Sequence, residues 1–363
     1  MNVDIQKRTS PKISRTSVFL VILGSVFFGV LLCIYPLEAA NGAANGLGCC
    51  LNILIPSLFP FMVLSVFVIQ SGAANYLDRP LGPFCRLIFR LPGSSAAAIF
   101  MSMIGGYPVG ARCVSALLDQ GEISRQQARR MHCFCINAGP AFVITAVGAG
   151  YLHSIQSGVI LLISQLAACL LLGLFCRERK KESIQPRSTS RKPVAAPGQA
   201  LIHSTADAAR SMCSMCCFVI LFAVLISFLE IFIQNPAISA WAAAFLEVTN
   251  GCAKLSQIGI PLWIFAFFIG WGGLCVHFQI LSLLRNLLMP LGKFFLFRFL
   301  HGVLCAAIAF FLCKIWPVSS ETFSNVSTTP MIHVPDSPAA AVCLIVLCII
   351  FLVGYSKHKA SLK

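Results

Sequence analysis

The sequence predicts an all-α, multi-pass membrane protein made of two inverted-topology repeats that contain broken or re-entrant helices. Of its 363 residues 58% are hydrophobic and only 11% are charged, and the mean hydropathy is +0.85, too apolar for a soluble domain. Apolar runs of spanning length recur along the chain, and they are continuous rather than alternating, which excludes a β-barrel. In each half, one run is interrupted by a pair of glycines.

The basic residues and the cysteines both fit a membrane protein. A net charge of +15 would indicate a nucleic-acid partner in a soluble protein, but here Lys and Arg lie in the tail and in short loops between apolar runs. We therefore expect the lipid bilayer as a partner and no nucleic acid. The 18 cysteines are spread through apolar segments, where a thiol serves as a small hydrophobic side chain, and they indicate no disulfide framework.

The first half begins with a basic tail, residues 1–17, which we place in the cytoplasm. The first membrane half covers residues 18–176. Its first apolar run is too long for the hydrophobic core of a signal peptide, so we interpret it as an uncleaved span. A short loop almost without charge, which we expect outside, leads to the second span. The predicted spans of this half are Val18 to Tyr35, Leu47 to Gln70, Met131 to Leu152 and Ile155 to Cys176.

The apolar stretch from Ser94 to Leu118 is different, because basic loops flank it on both sides. We predict a re-entrant hairpin that enters and leaves on the cytoplasmic side.

The second half, residues 201–315, follows a basic cytoplasmic linker at 177–200 and repeats the order of the first. Its predicted spans are Met212 to Ile233, Ala237 to Ala253, Ile260 to Leu284 with an interruption, and Phe299 to Cys313. Residues 316–338 read as a polar loop, and 339–363 as a final transmembrane helix with a basic tail.

The orientation of the second half stays open at this point. An odd number of crossings between the halves would invert one relative to the other, as in many secondary transporters. That symmetry places Arg285, Lys293 and Arg298 outside, whereas the charge rule places them inside.

The strongest local motif is Gly105-Gly106-Tyr107-Pro108. The two glycines release the backbone from helical geometry, and Pro108 suits the start of a new helix. A half-helix N-terminus inside the membrane, with Arg112 close behind, favours an anion. The alternatives are that the glycines only allow close helix packing and that Arg112 extends to the membrane surface.

Gly272-Gly273, followed by His277 and Gln279, reads as the counterpart in the second half. These two polar residues do not share one helix face, but near an unwound break both reach a cavity. The alternative is a hydrogen bond between helices.

Further polar residues lie in apolar surroundings. Glu247 and Asn250 form a candidate polar cluster. If Glu247 lies in the membrane, its carboxylate would couple transport to protons; the alternative is that Glu247 lies in a loop as a solvated charge. Asn137 either faces the substrate or bonds backbone freed by a nearby proline. Pro56 and Pro60 should kink the second span and open a groove.

Catalytic and metal-binding motifs carry less weight. His132-Cys133-x-Cys135 and Cys213-x-x-Cys216-Cys217 have spacings that suit a soft metal, but they read as apolar packing, so we expect no metal site. The chain lacks G-x-S-x-G, H-E-x-x-H and P-loop motifs, so we expect neither an enzyme nor a cofactor.

Several separated motifs in one order resemble the YlbJ-type sporulation integral membrane proteins, which carry the nucleoside-recognition or Gate domain. The resemblance covers about residues 18 to 315 and rests on the segments Ile55 to Phe61, Gly105 to Ala111, Phe134 to Ala138, Leu246 to Gly251 and Gly272 to Gln279.

The resemblance implies a transporter of a small anionic solute, dipicolinic acid, across the outer forespore membrane. The domain is shared in looser form with concentrative nucleoside transporters and ferrous-iron permeases. The alternatives are therefore a nucleoside or metal-ion transporter, or a forespore membrane assembly protein without a permeation path. A second copy of the chain or other sporulation membrane proteins are the protein partners left open.

Overall fold

The computed structural model describes residues 15–177, 196–284 and 289–317, and every regular element within them is a helix. The all-α fold class is therefore confirmed. Five of these helices are long and apolar enough to cross a membrane, by length and composition. They are Pro36–Gln70, Ile155–Phe175, Pro197–Phe232, Leu262–Leu283 and Leu291–Ile315.

The first long helix differs from the prediction. Helix α1 (Arg15–Ile34) is followed directly by α2 (Pro36–Cys49), a π-helical turn (Cys50–Leu54) and α3 (Ile55–Gln70). The expected loop between the first two spans is wrong, because Pro36 starts α2 in the first helical turn, where its missing N–H is not needed. The π turn lies directly before Pro56 and gives the helix a wider turn there.

The predicted re-entrant stretch folds as a helical hairpin. After α4 (Ala74–Phe84) and a π turn (Cys85–Phe89), α5 (Ser95–Ile104) and α6 (Tyr107–Asp119) are broken at the glycine pair that the sequence indicated. A Cβ added to Gly110 on α6 would lie 2.7 Å from the Cβ of Ser102 on α5, so the two helices pack back against each other.

The expected span from Met131 to Leu152 is wrong in its first part. Helix α7 (Arg125–Met131) ends there, residues 132–139 are not helical, and a π-helix follows (Ala141–Tyr151) before α8 (Ile155–Phe175). Pro140 disfavours helical geometry at Gly139, so the irregular segment and the π-helix do not join into one helix.

The second half begins with α9 (Pro197–Phe232), which starts 15 residues before the predicted span at Met212. A second hairpin follows, formed by α10 (Pro236–Leu246) and α11 (Val248–Ser256), where one shorter span was expected. The interrupted helix is confirmed as α12 (Leu262–Trp271) and α13 (Gly273–Leu283), and α14 (Leu291–Ile315) ends the described chain. The predicted basic tail, most of the linker, the polar loop and the final helix lie outside the described residues.

The two halves pack on each other through corresponding long helices, α2 against α9 and α8 against α14. One large apolar core fills the space between them and surrounds both hairpins. Each hairpin tip is consequently buried at the centre of the bundle, and these tips form the candidate site.

Candidate functional site

One cavity lies where the N-termini of four helices meet. It encloses about 450 Å³ of empty space, including its open side. The starts of α6, the π-helix at Ala141 and α11, with the first two turns of α13, supply most of the wall, and the long helices α2–α3 and α9 supply the remainder. The lining residues are Leu54, Leu58, Gly106, Tyr107, Pro108, Gly139, Phe142, Met215, Val219, Glu247, Val248, Thr249, Val276 and Gln279.

The first hairpin tip depends on Gly106. Its φ is +89° and its ψ is 177°, a backbone conformation that is essentially reserved for glycine. A Cβ at Gly106 would lie 2.9 Å from a methyl carbon of Leu58, and one at Gly139 would lie 3.0 Å from the carbonyl oxygen of Ile104. The tip and the irregular segment therefore pass each other at backbone contact, and Gly105, at φ −87°, only ends α5.

The second break contacts both hairpins. Gly272 and Gly273 have φ values of +88° and +76°, and a Cβ at Gly273 would lie 3.1 Å from the Cα of Glu247. A Cβ at Gly272 would lie 3.4 Å from the ring of Tyr107. The structure thus brings the two predicted breaks together.

Tyr107 and His277 form hydrogen bonds with backbone carbonyls at the C-terminal end of α12. The last carbonyls of a helix have no partner within it and need donors from elsewhere. The Tyr107 hydroxyl donates to the oxygen of Ile269 at 2.5 Å, and His277 Nε2 lies 2.8 Å from the oxygen of Trp271. His277 does not line the cavity. Its contact with Trp271 is the hydrogen bond between helices that the sequence left open as an alternative.

Glu247 is a buried carboxylate in the cavity wall and only 2% exposed. Its two oxygens accept the backbone N–H groups of Thr249 at 2.9 Å and Asn250 at 2.7 Å, so Glu247 caps the N-terminus of α11. It is not a solvated charge. Asn250 contributes its backbone to this cap and does not line the cavity.

Gln279 also lines the cavity, with its Nε2 3.1 Å from the sulfur of Cys275. Among the described residues, the wall contains one carboxylate and no Lys, Arg or His side chain.

Arg112 lies elsewhere. Its guanidinium forms an ion pair with Asp207 of α9, and it is not among the cavity residues. Arg112 therefore links α6 to α9 through this ion pair and does not lie at the first break.

A second polar centre lies behind the irregular segment at 132–139. Asn137 is fully buried, with its amide nitrogen 3.3 Å from Ser102 Oγ and 3.2 Å from Cys169 Sγ. Arg298 donates to the oxygen of Ile136 at 2.6 Å. His301, one turn later on α14, has ring nitrogens 3.1 Å from the oxygen of Gly270 and 3.3 Å from that of Gln165.

Sequence reasoning missed this centre because Arg298 was considered only as a marker of topology. The signal that could have found it is the spacing of Arg298, His301 and Cys305, which places all three on one face of an otherwise apolar helix.

No group of three or more side chains suited to hold a metal ion is found in the described part of the chain. Cys213 and Cys217, which the sequence considered as soft-metal ligands, are exposed on the surface of α9.

Comparison with known proteins gives one family match and one relative. A family model described as nucleoside recognition matches residues 51–176, from the π turn in the first long helix to the end of α8. The chain is 25% identical over 346 residues to the sporulation integral membrane protein YlbJ of Bacillus subtilis (strain 168), covering 83% of this chain and 84% of that relative. No solved structure matches the chain significantly.

The chain is an integral membrane protein, and these two matches confirm its resemblance to the YlbJ-type family with a nucleoside-recognition domain.

Proposed function

We propose that the protein transports a small carboxylate anion, with dipicolinate as the first candidate, and catalyses no reaction. The observation that supports this most is the meeting of four helix N-termini at one cavity inside the bundle. Transporters built from broken helices place their solute sites at such points.

The electrostatics of the cavity favour an anion. Each helix N-terminus carries about half a positive charge and free N–H groups that point along the helix axis. Of the four, only α11 is capped by a side chain, that of Glu247. The other three have no side-chain cap and supply positive potential, while Glu247 is the one charged side chain among the described wall residues.

The size of the cavity indicates a closed conformation. Its total empty space falls in the range of roughly 300–1,000 Å³ that small-molecule sites occupy. The enclosed room within it is only about 30 Å³, enough for one or two water molecules. We propose that the hairpin tips separate to admit the solute.

A nucleoside is the second candidate. The Glu247 carboxylate is a good acceptor for hydroxyl groups, and the Gln279 amide can both donate and accept. The match to a model described as nucleoside recognition also supports it.

The name of the relative supports a role in sporulation, and we propose that the protein acts in the outer forespore membrane with its N-terminal tail in the cytoplasm. Its protein partners would be a second copy or other sporulation membrane proteins. An assembly role without permeation is the competing hypothesis, and the following experiment separates the two.

The test is uptake of labelled dipicolinate into proteoliposomes that contain the purified full-length chain, with labelled uridine measured in parallel. Val219→Phe places a ring in the cavity wall, whereas Leu221→Phe makes the same class of change on the exposed side of α9. We expect wild type and Leu221→Phe to take up dipicolinate at similar rates and Val219→Phe to lose at least about tenfold of the rate, because the cavity is filled.

Uptake of uridine without dipicolinate would establish the second candidate. If folded wild-type protein moves neither solute, with and without a pH gradient, the assembly role is favoured. Equal uptake by Val219→Phe and wild type would show that the solute does not pass through this cavity.

A further inference from the structure

Arg298 is a buried cation without a carboxylate partner among the described residues. It is 1% exposed, and the ion pairs of Arg112 with Asp207 and of Lys254 with Glu230 involve other side chains. A charge at such depth is costly unless another group compensates it. Its single hydrogen bond, from Nη1 to the oxygen of Ile136, is to a neutral carbonyl.

The free part of the guanidinium has a defined shape. Nε and Nη2 are buried and have no hydrogen-bond partner. These two nitrogens form one edge of the planar group, and their parallel N–H bonds match the two oxygens of a carboxylate. The edge that is left unpaired is thus one that can bind a carboxylate in bidentate geometry.

The surroundings of Arg298 are polar and also incompletely paired. Asn137 Oδ1 and Gln165 Oε1 are buried without partners, while the Gln165 amide nitrogen holds the oxygen of Ala138 at 3.0 Å. His301 lies on the same face of α14 as Arg298 and contacts both Gln165 and Gly270 through backbone oxygens. Polar atoms from α14, α8 and the irregular segment therefore converge at one place.

The irregular segment at 132–139 connects this centre to the cavity. Arg298 binds Ile136, and Gly139, three residues later in the same irregular segment, lines the cavity. Tyr107, another cavity residue, donates to the oxygen of Ile269, and His301 lies 3.1 Å from the oxygen of the next residue, Gly270.

We propose that Arg298 is the binding residue for a carboxylate group of the solute, and that the solute reaches it from the cavity past Tyr107 and residues 136–139. The identity of the ligand as a carboxylate rests on the proposed function. The site itself rests on the burial and free donors of Arg298. The arginine that the sequence favoured for this role, Arg112, is already paired with Asp207.

The proposal predicts opposite effects on stability and on binding. If Arg298 awaits a ligand, removing its charge relieves an uncompensated burial, so the ligand-free protein keeps or gains stability. If Arg298 only holds the irregular segment through Ile136, removing it lowers stability and leaves ligand binding unchanged.

The experiment is thermal unfolding of the purified full-length chain in detergent, with dipicolinate and with pyridine-2,6-dicarboxamide as its neutral counterpart. For wild type we expect dipicolinate, and not the diamide, to raise the unfolding temperature. Arg298→Gln should weaken dipicolinate binding by at least about tenfold, consistent with the loss of charged hydrogen bonds, and should not lower the ligand-free unfolding temperature. Arg298→Lys keeps the charge but lacks the two parallel N–H donors of the guanidinium. It should bind dipicolinate more weakly than wild type but better than Arg298→Gln.

The control is Arg112→Gln, which removes a paired arginine and should retain the response to dipicolinate. The proposal is overturned if Arg298→Gln keeps the wild-type response, or if wild type responds equally to the diamide or to neither compound. The wild-type comparison needs no variant and holds even if a variant fails to fold. Binding that depends on Arg298 in a protein that shows no uptake would reject the transport function and leave the binding site standing.

Discussion

Single glycines determine the backbone at the hairpin tips. At Gly106, both the φ of +89° and the approach of Leu58 act against any side chain. Gly121, in an exposed turn, has a similar φ of +73°, but nothing lies within 4 Å of its Cβ position. Gly121 therefore serves as an uncrowded glycine with positive φ for comparison.

We predict that Gly106→Ala destabilises the protein by about 1–3 kcal/mol, since a residue with a Cβ is strained in this region and contacts Leu58. Gly121→Ala should cost less, because it carries only the conformational part. The measurement is the unfolding temperature of both variants in the same detergent. Equal losses would mean that contacts at the tip contribute nothing.

At the residue scale, the sequence identified where the backbone breaks but not what each polar side chain binds. Glycine pairs and prolines act locally, so Gly106 and Gly272 could be read from the sequence. The partners of Arg112 and His277 come from distant elements, an ion pair to α9 and the carbonyl of Trp271, and no local pattern contains them. The partner of Arg298 was hidden for the same reason, since Ile136 lies 162 residues away.

At the element scale, α2 packs on α9 through two glycines, Gly42 and Gly46. A Cβ at Gly46 would lie 2.8 Å from the Cα of Ile220, and one at Gly42 would lie 2.9 Å from the Cα of Val224. Small residues four apart allow helix backbones to approach closely, which substitutes for the hydrophobic effect inside a membrane. This contact explains why the stretch expected to be a loop is a helix.

We predict that Gly46→Val pushes α2 away from α9 and destabilises the protein by about 1–3 kcal/mol, because the clash is with backbone atoms that cannot move aside. Gly48→Val is the matched control, since it makes the same change two residues later, where nothing lies within 4 Å. Yield of monodisperse protein and unfolding temperature would report the difference. Similar behaviour of the two variants would contradict the close α2–α9 contact.

At the scale of the whole molecule, the halves correspond in an order that the sequence did not give. Each contains a long helix, a hairpin, an interrupted segment and a final helix: α2–α3, α5/α6, residues 132–151 and α8 in one, and α9, α10/α11, α12/α13 and α14 in the other. By this order the tip of the α5/α6 hairpin at Gly106 corresponds to the tip of the α10/α11 hairpin at Glu247. The break between α12 and α13 at Gly272 corresponds to the irregular segment at 132–139. The sequence analysis had matched the two glycine breaks instead.

The hairpins carry the evidence for this order. Gly110 and Gly251 each lie four residues after the N-cap of the returning helix, and a Cβ on either would lie 2.7 Å from a Cβ of the preceding helix, on Ser102 and Ala244. Such contacts across a turn are invisible in hydropathy, which treats a hairpin of two short helices as one span. The fold class was therefore predictable, whereas the division of the apolar stretches into spans and hairpins and the pairing of elements were not.

Inverted repeats remain a prediction, and the two hairpins offer the means to test it. Each ends in an exposed turn with a glycine at positive φ, Gly121 after α6 and Gly259 after α11. If the halves are inverted, these turns face opposite sides of the membrane. A protease site inserted at Gly121 should then be cut in vesicles of one orientation, and a site at Gly259 only in vesicles of the other. Exposed turns of this kind tolerate insertions, and an uptake assay would confirm that each variant is folded. Cleavage of both sites from the same side would show that the repeats run parallel, and the two hairpin tips would then approach the cavity from one face of the membrane.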